Sequence, residues 1–310
     1  MKVVFFGSPG AAIPSIQKIR QSSHSVELII TQPDRPSGRG KSLTPPPVKQ
    51  YALIEGIPIC QPQKIRKDQE VLDRLRSIGP DVNVVVAYGQ LIPDSLIYLP
   101  RYNSINVHFS LLPKYRGASP VQWAILNGDS TTGLTVFELN SKMDEGDILS
   151  REEVDILPGE TAFRLEKRLA ERGADLLLDT LARIEEIKPW KQNHQDATYA
   201  PRIRKEDGLI DWRREAVSIY RQILAFTPWP SSYTHYDGKR IKILGGKLEA
   251  LKTFRGRPGE IVKIDKDGIR VLCGQGSVLR IEAIQPENKA KMSAHAFSLG
   301  ARLHPGQAFG

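Results

Sequence analysis

An α/β chain in two parts is predicted, and three observations predict it. Residues 2–187 alternate short apolar runs with helical stripes, which implies a mostly parallel sheet joined by right-handed crossovers. This alternation stops near residue 188. After residue 207 come short β-rich runs at 231–236, 239–244, 259–264, 268–273 and 276–284, separated by Asp-Gly and other glycine-containing turns. The first pattern is Rossmann-like. The second suits a small antiparallel, OB-like β-barrel. The expected division is a domain over 1–188, a linker over 189–206 and a second domain over 207–310, which fits a chain of 310 residues.

Taken in order, residues 2–7 read as a buried strand, and Gly7-Ser8-Pro9-Gly10 turns it into a helix over 11–20. This turn lacks the Gly-x-Gly-x-x-Gly spacing, and no acidic residue ends the next strand at Val26–Thr31, so a dinucleotide site is disfavoured. The stretch Asp34–Lys49 has two glycines, four prolines and four basic residues, with no apolar period. It cannot be a helix or a central strand and is expected to be a long, exposed, mobile basic loop. A helix over 48–55, a short strand at 57–60 and a charged helix over 67–77 follow. The run from Asp81 to Ala87 has the length and apolarity of a strand covered on both faces. A turn at 88–93 and a short helix near 94–98 lead to a strand at 104–109. Val121, Ala124 and Ile125 mark a helix over 119–127. Thr135–Leu139 reads as a strand. Leu169, Gly173, Leu177, Leu181 and Ile184 stripe a long helix over 161–187, with Gly173 as a local weakness.

Composition narrows the class. At 40% hydrophobic and 25% charged, the chain can bury a core. Cys60 and Cys273 lie too far apart in sequence for a disulfide framework or zinc spacing, and both are expected to be reduced and buried. Residues 1–7 lack the apolar length of a signal peptide, and no run approaches a membrane span, so a cytoplasmic protein is expected. Of the formal charge of +9, residues 207–310 carry +7, from 17 basic and 10 acidic side chains. One basic half beside a near-neutral one suggests a polyanionic partner; a solvated basic surface explains the charge equally well.

The chemistry centres on Ser104–Pro120. Ile105, Val107 and Phe109 alternate with Asn106, His108 and Ser110 until Pro113 ends the strand. Residues two apart share a face, so Asn106 and His108 point the same way at a strand's carboxyl end, where open α/β sheets bind ligands. An amide can hold a carbonyl oxygen that gains negative charge, and an imidazole can take a proton. A carboxylate should complete the set. Asp144 and Asp147 compete for that place in the turn Met143-Asp-Glu-Gly-Asp-Ile148.

A family likeness rests on residues spread along nearly the whole chain. They are Phe5-Phe-Gly-Ser-Pro9, Arg35-Pro-Ser-Gly-Arg39-Gly-Lys41, Asn106-Val-His108 with Ser110-Leu-Leu-Pro113 and Arg116-Gly-Ala, Thr132-Gly, Met143-Asp144-x-Gly146-Asp147, Thr198-Tyr-Ala, Ile210-Asp-Trp212 and Pro228-Trp-Pro230. On these the chain resembles the folate-dependent formyltransferases, and within them the branch acting on methionyl-tRNA. The acidic motif is in a short form. The resemblance implies 10-formyltetrahydrofolate as formyl donor, with no metal. It implies as acceptor the α-amino group of methionyl initiator tRNA, in translation initiation. It selects Asp144 beside Asn106 and His108 as catalytic, with Asp144 orienting His108. It places Ser110, Leu111, Leu112 and Pro113, with residues near 88–92, at the folate. It gives Arg35, Arg39 and Lys41 to the tRNA acceptor arm and the basic C-terminal domain to the tRNA body. The enzyme is expected to be a monomer that binds folate and tRNA and no membrane. Two alternatives stay open: a formyltransferase acting on a small amine, such as an amino sugar nucleotide or glycinamide ribotide, and a non-catalytic nucleic-acid-binding module.

Overall fold

The computed structural model describes residues 1–37, 42–249 and 255–310, in two compact units. The first unit comprises residues 1–120, 131–155 and 166–200. Its elements are β1 (Lys2–Gly7), α1 (Ile13–Arg20), β2 (Ser25–Ile30), β3 (Arg35–Ser37), β4 (Ser42–Thr44), α2 (Pro47–Ile54), β5 (Ile59–Cys60), α3 (Gln69–Ile78), β6 (Val82–Val86), α4 (Asp94–Ile97) and β7 (Ser104–His108). After α5 (Pro120–Asn127) come β8 (Thr131–Glu138), β9 (Ile148–Asp155) and α6 (Ala162–Ala182).

Seven strands form one sheet in the order β5-β2-β1-β6-β7-β8-β9. From β5 to β7 all pairs are parallel, and β1 and β6 are buried throughout their apolar runs. β8 and β9 add on antiparallel. The sheet is thus mostly parallel, with an antiparallel edge. The alternation of strands and helices did not announce β9, because an edge strand needs to cover only part of one face. Its Arg151-Glu152-Glu153 is a charged run without apolar alternation, yet Val154 is buried. Gly173 turns out to serve a close approach. A Cβ there would sit 3.1 Å from Val107 and 3.2 Å from Leu134, so glycine lets α6 lie tightly on β7 and β8.

The expected basic loop is shorter and more ordered at its base. Arg35–Ser37 and Ser42–Thr44 pair as an antiparallel ribbon, and Pro47 already opens α2, as proline at a helix start can. Arg39 and Lys41 lie outside the described residues. The ribbon's base is tied down. Asp34, just before β3, accepts Lys49 Nζ at 2.8 and 2.9 Å, and Gln61 Nε2 reaches it at 2.8 Å. Gln61's amide first, then Lys49's ammonium, hold the Asp34 carboxyl below the usual carboxylate range.

The second unit comprises residues 121–130, 156–165 and 201–310. Its strands are β10 (Ser232–Tyr236), β11 (Lys239–Glu249), β12 (Ile261–Asp265), β13 (Gly268–Leu272), β14 (Val278–Pro286) and β15 (Met292–Ser293). They form an antiparallel sheet in the order β10-β11-β14-β13-β12, with β15 on β14. Two helices, α7 (Ala216–Ala225) and α8 (Ala294–Gly300), pack on it. The C-terminal segment bridges the two outer strands. Gly310 and His235 exchange backbone hydrogen bonds at 2.8 and 3.0 Å, and Ile261 N donates to Gln307 O at 2.7 Å. Phe309 is buried there, stacked on Trp212 at 6.0 Å and edge-on to Tyr236 at 5.9 Å. Trp212 Nε1 donates to Thr234 Oγ1 at 3.0 Å, so its one polar atom is satisfied.

The cysteines differ from each other. Cys273 is buried, and burial pushes its thiol up to about 12. Cys60 is only half-buried, because β5 is two residues long and lies at the sheet edge.

Phe309→Ala should remove the plug between the outer strands of the second unit. A buried phenylalanine truncated to alanine costs about 3–5 kcal/mol. Urea unfolding followed by tryptophan fluorescence should show a clearly lower midpoint.

Candidate active site

Asn106 and His108 emerge from one face of β7 at its carboxyl end. Asn106 pairs with Val85 on one side and Phe137 on the other; His108 pairs with Thr135. The Asn106 side chain is half-buried and has no hydrogen-bond partner among the described residues. His108 is buried, edge-on to Phe137 at 6.4 Å between ring centres. Its Nε2 lies 2.9 Å from the Tyr115 carbonyl. A carbonyl can only accept, so Nε2 carries the proton, and in the neutral ring Nδ1 keeps the lone pair. Nδ1 faces Asp144, with Oδ2 at 3.8 Å.

That distance suits an ion pair and is too long for a hydrogen bond. The imidazole is therefore aimed by Tyr115. Asp144 is aimed separately: its Oδ2 accepts Gly117 N at 2.7 Å. Asp147 does not meet His108; its carbonyl accepts Glu138 N at 2.9 Å. The turn from Asp144 to Asp147 packs closely. A Cβ on Gly146 would fall 1.7 Å from the Glu138 carbonyl oxygen, so only glycine fits.

The Ser110–Pro113 block is engaged within the chain. Ser110 and Leu112 are fully buried. Leu112 N donates to Thr135 Oγ1 at 3.1 Å, and that hydroxyl donates to Ser110 O at 2.7 Å. Arg151 Nη1 donates to Leu112 O at 3.2 Å, and Thr198 N to Pro113 O at 3.3 Å. Leu111 and Pro113 remain half-buried.

Two side chains outside the expected set shape this site. Arg116, buried although charged, lies 3.2 Å from Glu145 Oε1 and donates to Gln192 Oε1 at 2.7 and 3.1 Å. Gln192 is also buried, and its amide donates back to the Asp144 and Gly146 carbonyls. Gln192 sits in the stretch read as linker, where no periodicity marked it. A surface cleft beside this turn is lined by residues of 140–147 with Lys191 and His194. Among the described residues, no cluster of three or more His, Cys, Asp or Glu could hold a metal.

The basic second unit is less exposed as charge than its composition suggests. Arg270 pairs with Asp265 at 2.6 Å and Glu249 at 3.3 Å, and Arg280 pairs with Glu249 and Glu282 at 3.0 Å each. Lys247 and Lys263 add to the same carboxylates.

The Formyl transferase family matches residues 1–181, and its C-terminal domain matches residues 202–302. The chain belongs to the formyl transferase family. Among its relatives is a methionyl-tRNA formyltransferase of Geobacter metallireducens, 44% identical over 308 residues that cover 99% of this chain and 97% of the relative. Among solved structures, an N-formyltransferase from Helicobacter canadensis in complex with folinic acid and dTDP-3-aminofucose matches with TM-score 0.66. It is 19% identical and covers 92% of this chain and 99% of its own. HypX from Aquifex aeolicus in complex with tetrahydrofolic acid matches with TM-score 0.64 at 15% identity, over 96% of this chain and 47% of its own. At these identities the two structures share the fold of the formyl transferases.

Thr135→Val keeps the shape under the site and removes its one hydroxyl. It strands Leu112 N and Ser110 O, at about 1–3 kcal/mol for each buried group left unpaired. Equilibrium unfolding should show the loss.

Proposed function

We propose that this chain transfers a formyl group from 10-formyltetrahydrofolate to the α-amino group of methionyl initiator tRNA, as a cytoplasmic monomer serving translation initiation. The observation that carries this reading is the end-to-end relation, at 44% identity, to a methionyl-tRNA formyltransferase. The small-amine alternative is not favoured. The dTDP-3-aminofucose complex belongs to a neighbour only 19% identical.

The folate supplies the formyl carbon, and the chain supplies three groups. As the amine nitrogen attacks that carbon, the half-buried amide of Asn106 donates to the formyl oxygen, which takes on negative charge. Having no partner within the described chain, this amide has a donor to give. His108 Nδ1, left basic by the bond from Nε2 to Tyr115, takes the proton the amine loses. Asp144, 3.8 Å away, stabilises the imidazolium that results. Breakage of the carbon–nitrogen bond to the folate then returns a proton to the leaving nitrogen. The folate is placed against the half-buried side chains of Leu111 and Pro113. Ser110 and Leu112 support it from beneath.

For the tRNA, Arg35 at the base of the ribbon, with Arg39 and Lys41 of the same basic stretch of sequence, contacts the acceptor arm. The clamp of Asp34, Lys49 and Gln61 gives that ribbon a fixed base. Residues 1–188 carry the chemistry, and residues 207–310 hold the tRNA body through phosphates. Of the basic residues there, Arg270 and Arg280 act in the sheet's own ion pairs.

Purified protein incubated with 10-formyltetrahydrofolate should formylate methionyl initiator tRNA and leave an amino sugar nucleotide unmodified. The reverse preference would overturn the reading. Asn106→Ala should cost a factor of about 10²–10³ in kcat and His108→Ala about 10²–10⁴. Binding of tRNA should weaken steeply as salt rises. Arg39→Ala should impair transfer to tRNA while folate binding stays intact; wild-type rates in that variant would remove the ribbon from the tRNA site.

A further inference from the structure

We propose that Gln192 and Arg116 are positioning residues that hold the Asp144 turn in its working conformation. The proposal rests on the formyl-transfer reading, because it gives Asp144 a purpose.

Asp144 adopts φ +53, the left-handed region, uncommon outside glycine though aspartate enters it more readily than most. Such a conformation persists only when its surroundings over-determine it. The surroundings here are few and specific. Gln192 Nε2 donates to Asp144 O at 2.9 Å and to Gly146 O at 2.8 Å, so one side-chain amide spans the turn. Glu145, between them, is held by Arg116 Nη1 at 3.2 Å. All three consecutive residues of the turn are thereby tied to two buried side chains.

Arg116 also decides which way Gln192 faces. An amide can flip its oxygen and nitrogen with little change of shape. In the flipped state the NH₂ group would meet the guanidinium, and the oxygen would meet two carbonyls. Two donations from Arg116 Nε and Nη2 to Gln192 Oε1, at 3.1 and 2.7 Å, remove that alternative. The backbone of Arg116 is fixed in turn. Its N–H donates to Thr198 O at 2.9 Å, and Ala200 N donates to its carbonyl at 2.7 Å. The next N–H along, that of Gly117, is the donor that aims the Asp144 carboxylate. One short segment therefore controls both the backbone and the side chain of Asp144. Nothing in this network touches a reacting atom, so its effect on the reaction must pass through Asp144.

Two variants separate the parts. Gln192→Met keeps the length of the side chain and removes the amide. Gln192→Glu keeps the acceptor for Arg116 and removes both donations to the turn. Both should lower kcat, by up to about 10²-fold, the cost of misplacing a catalytic group by an ångström, with KM for either substrate nearly unchanged. In an Asp144→Ala background, Gln192→Glu should add little further loss, because its target is gone. In substrate-free protein, the Gly117 amide should exchange faster with solvent deuterium in both variants, while the backbone amides of β7 stay as protected as in wild type. Wild-type kcat in either variant, losses that simply add to those of Asp144→Ala, or unchanged exchange at Gly117 would each overturn the proposal. Should Gln192→Met fail to fold, Gln192→Glu decides alone. The exchange measurement needs no substrate, so it tests the brace even if the acceptor proves not to be tRNA.

Discussion

The candidate site depends on one buried cation. Arg116 is almost fully enclosed, and a charge in that position is costly unless it is paired and hydrogen-bonded. Glu145, Gln192 and His194 Nδ1 meet that demand together. The consequence is geometric. Residues 115, 116 and 117 each hold a different part of the site: Tyr115 aims His108, Arg116 holds the Asp144 turn, and Gly117 aims the Asp144 carboxylate. The strand provides the imidazole and the amide, while this loop decides where they act.

That arrangement also sorts two kinds of order. β7 is pinned on both sides by ladder hydrogen bonds, so Asn106 and His108 inherit the rigidity of the sheet. Asp144 lies in a turn after the sheet has ended, and turns are mobile unless tied. The ties come from Thr198–Ala200 and Gln192, far along the chain. A segment that looks like a plain connection between two units thereby serves the site of the first.

Charge is distributed by a similar logic. The excess of basic residues in the C-terminal part predicts attraction to a polyanion. Arg270 and Arg280 share Glu249, and their neighbours on the same sheet share Asp265 and Glu282. These pairs occupy Arg270 and Arg280 with carboxylates of the sheet itself. On the ribbon, the balance is different. Its base is neutralised by the Asp34–Lys49 pair, and the exposed Arg35 stands beyond it.

The sequence by itself determined the order of elements, the two patterns of strands, and the pairing of Asn106 with His108 on one face. Those features follow from periods of two and 3.6 residues, which are local and leave a trace in every window. Strand β9 and helices α7 and α8 left a weaker trace, since edge and cap elements bury only one side. The resemblance had already pointed to Asp144; only the tertiary structure decided that Tyr115 rather than Asp144 orients the imidazole, and that Gln192 belongs to the site. Each of these depends on hydrogen bonds between residues seven to 48 positions apart. Such bonds form only after the chain has closed on itself, so no local pattern can carry them.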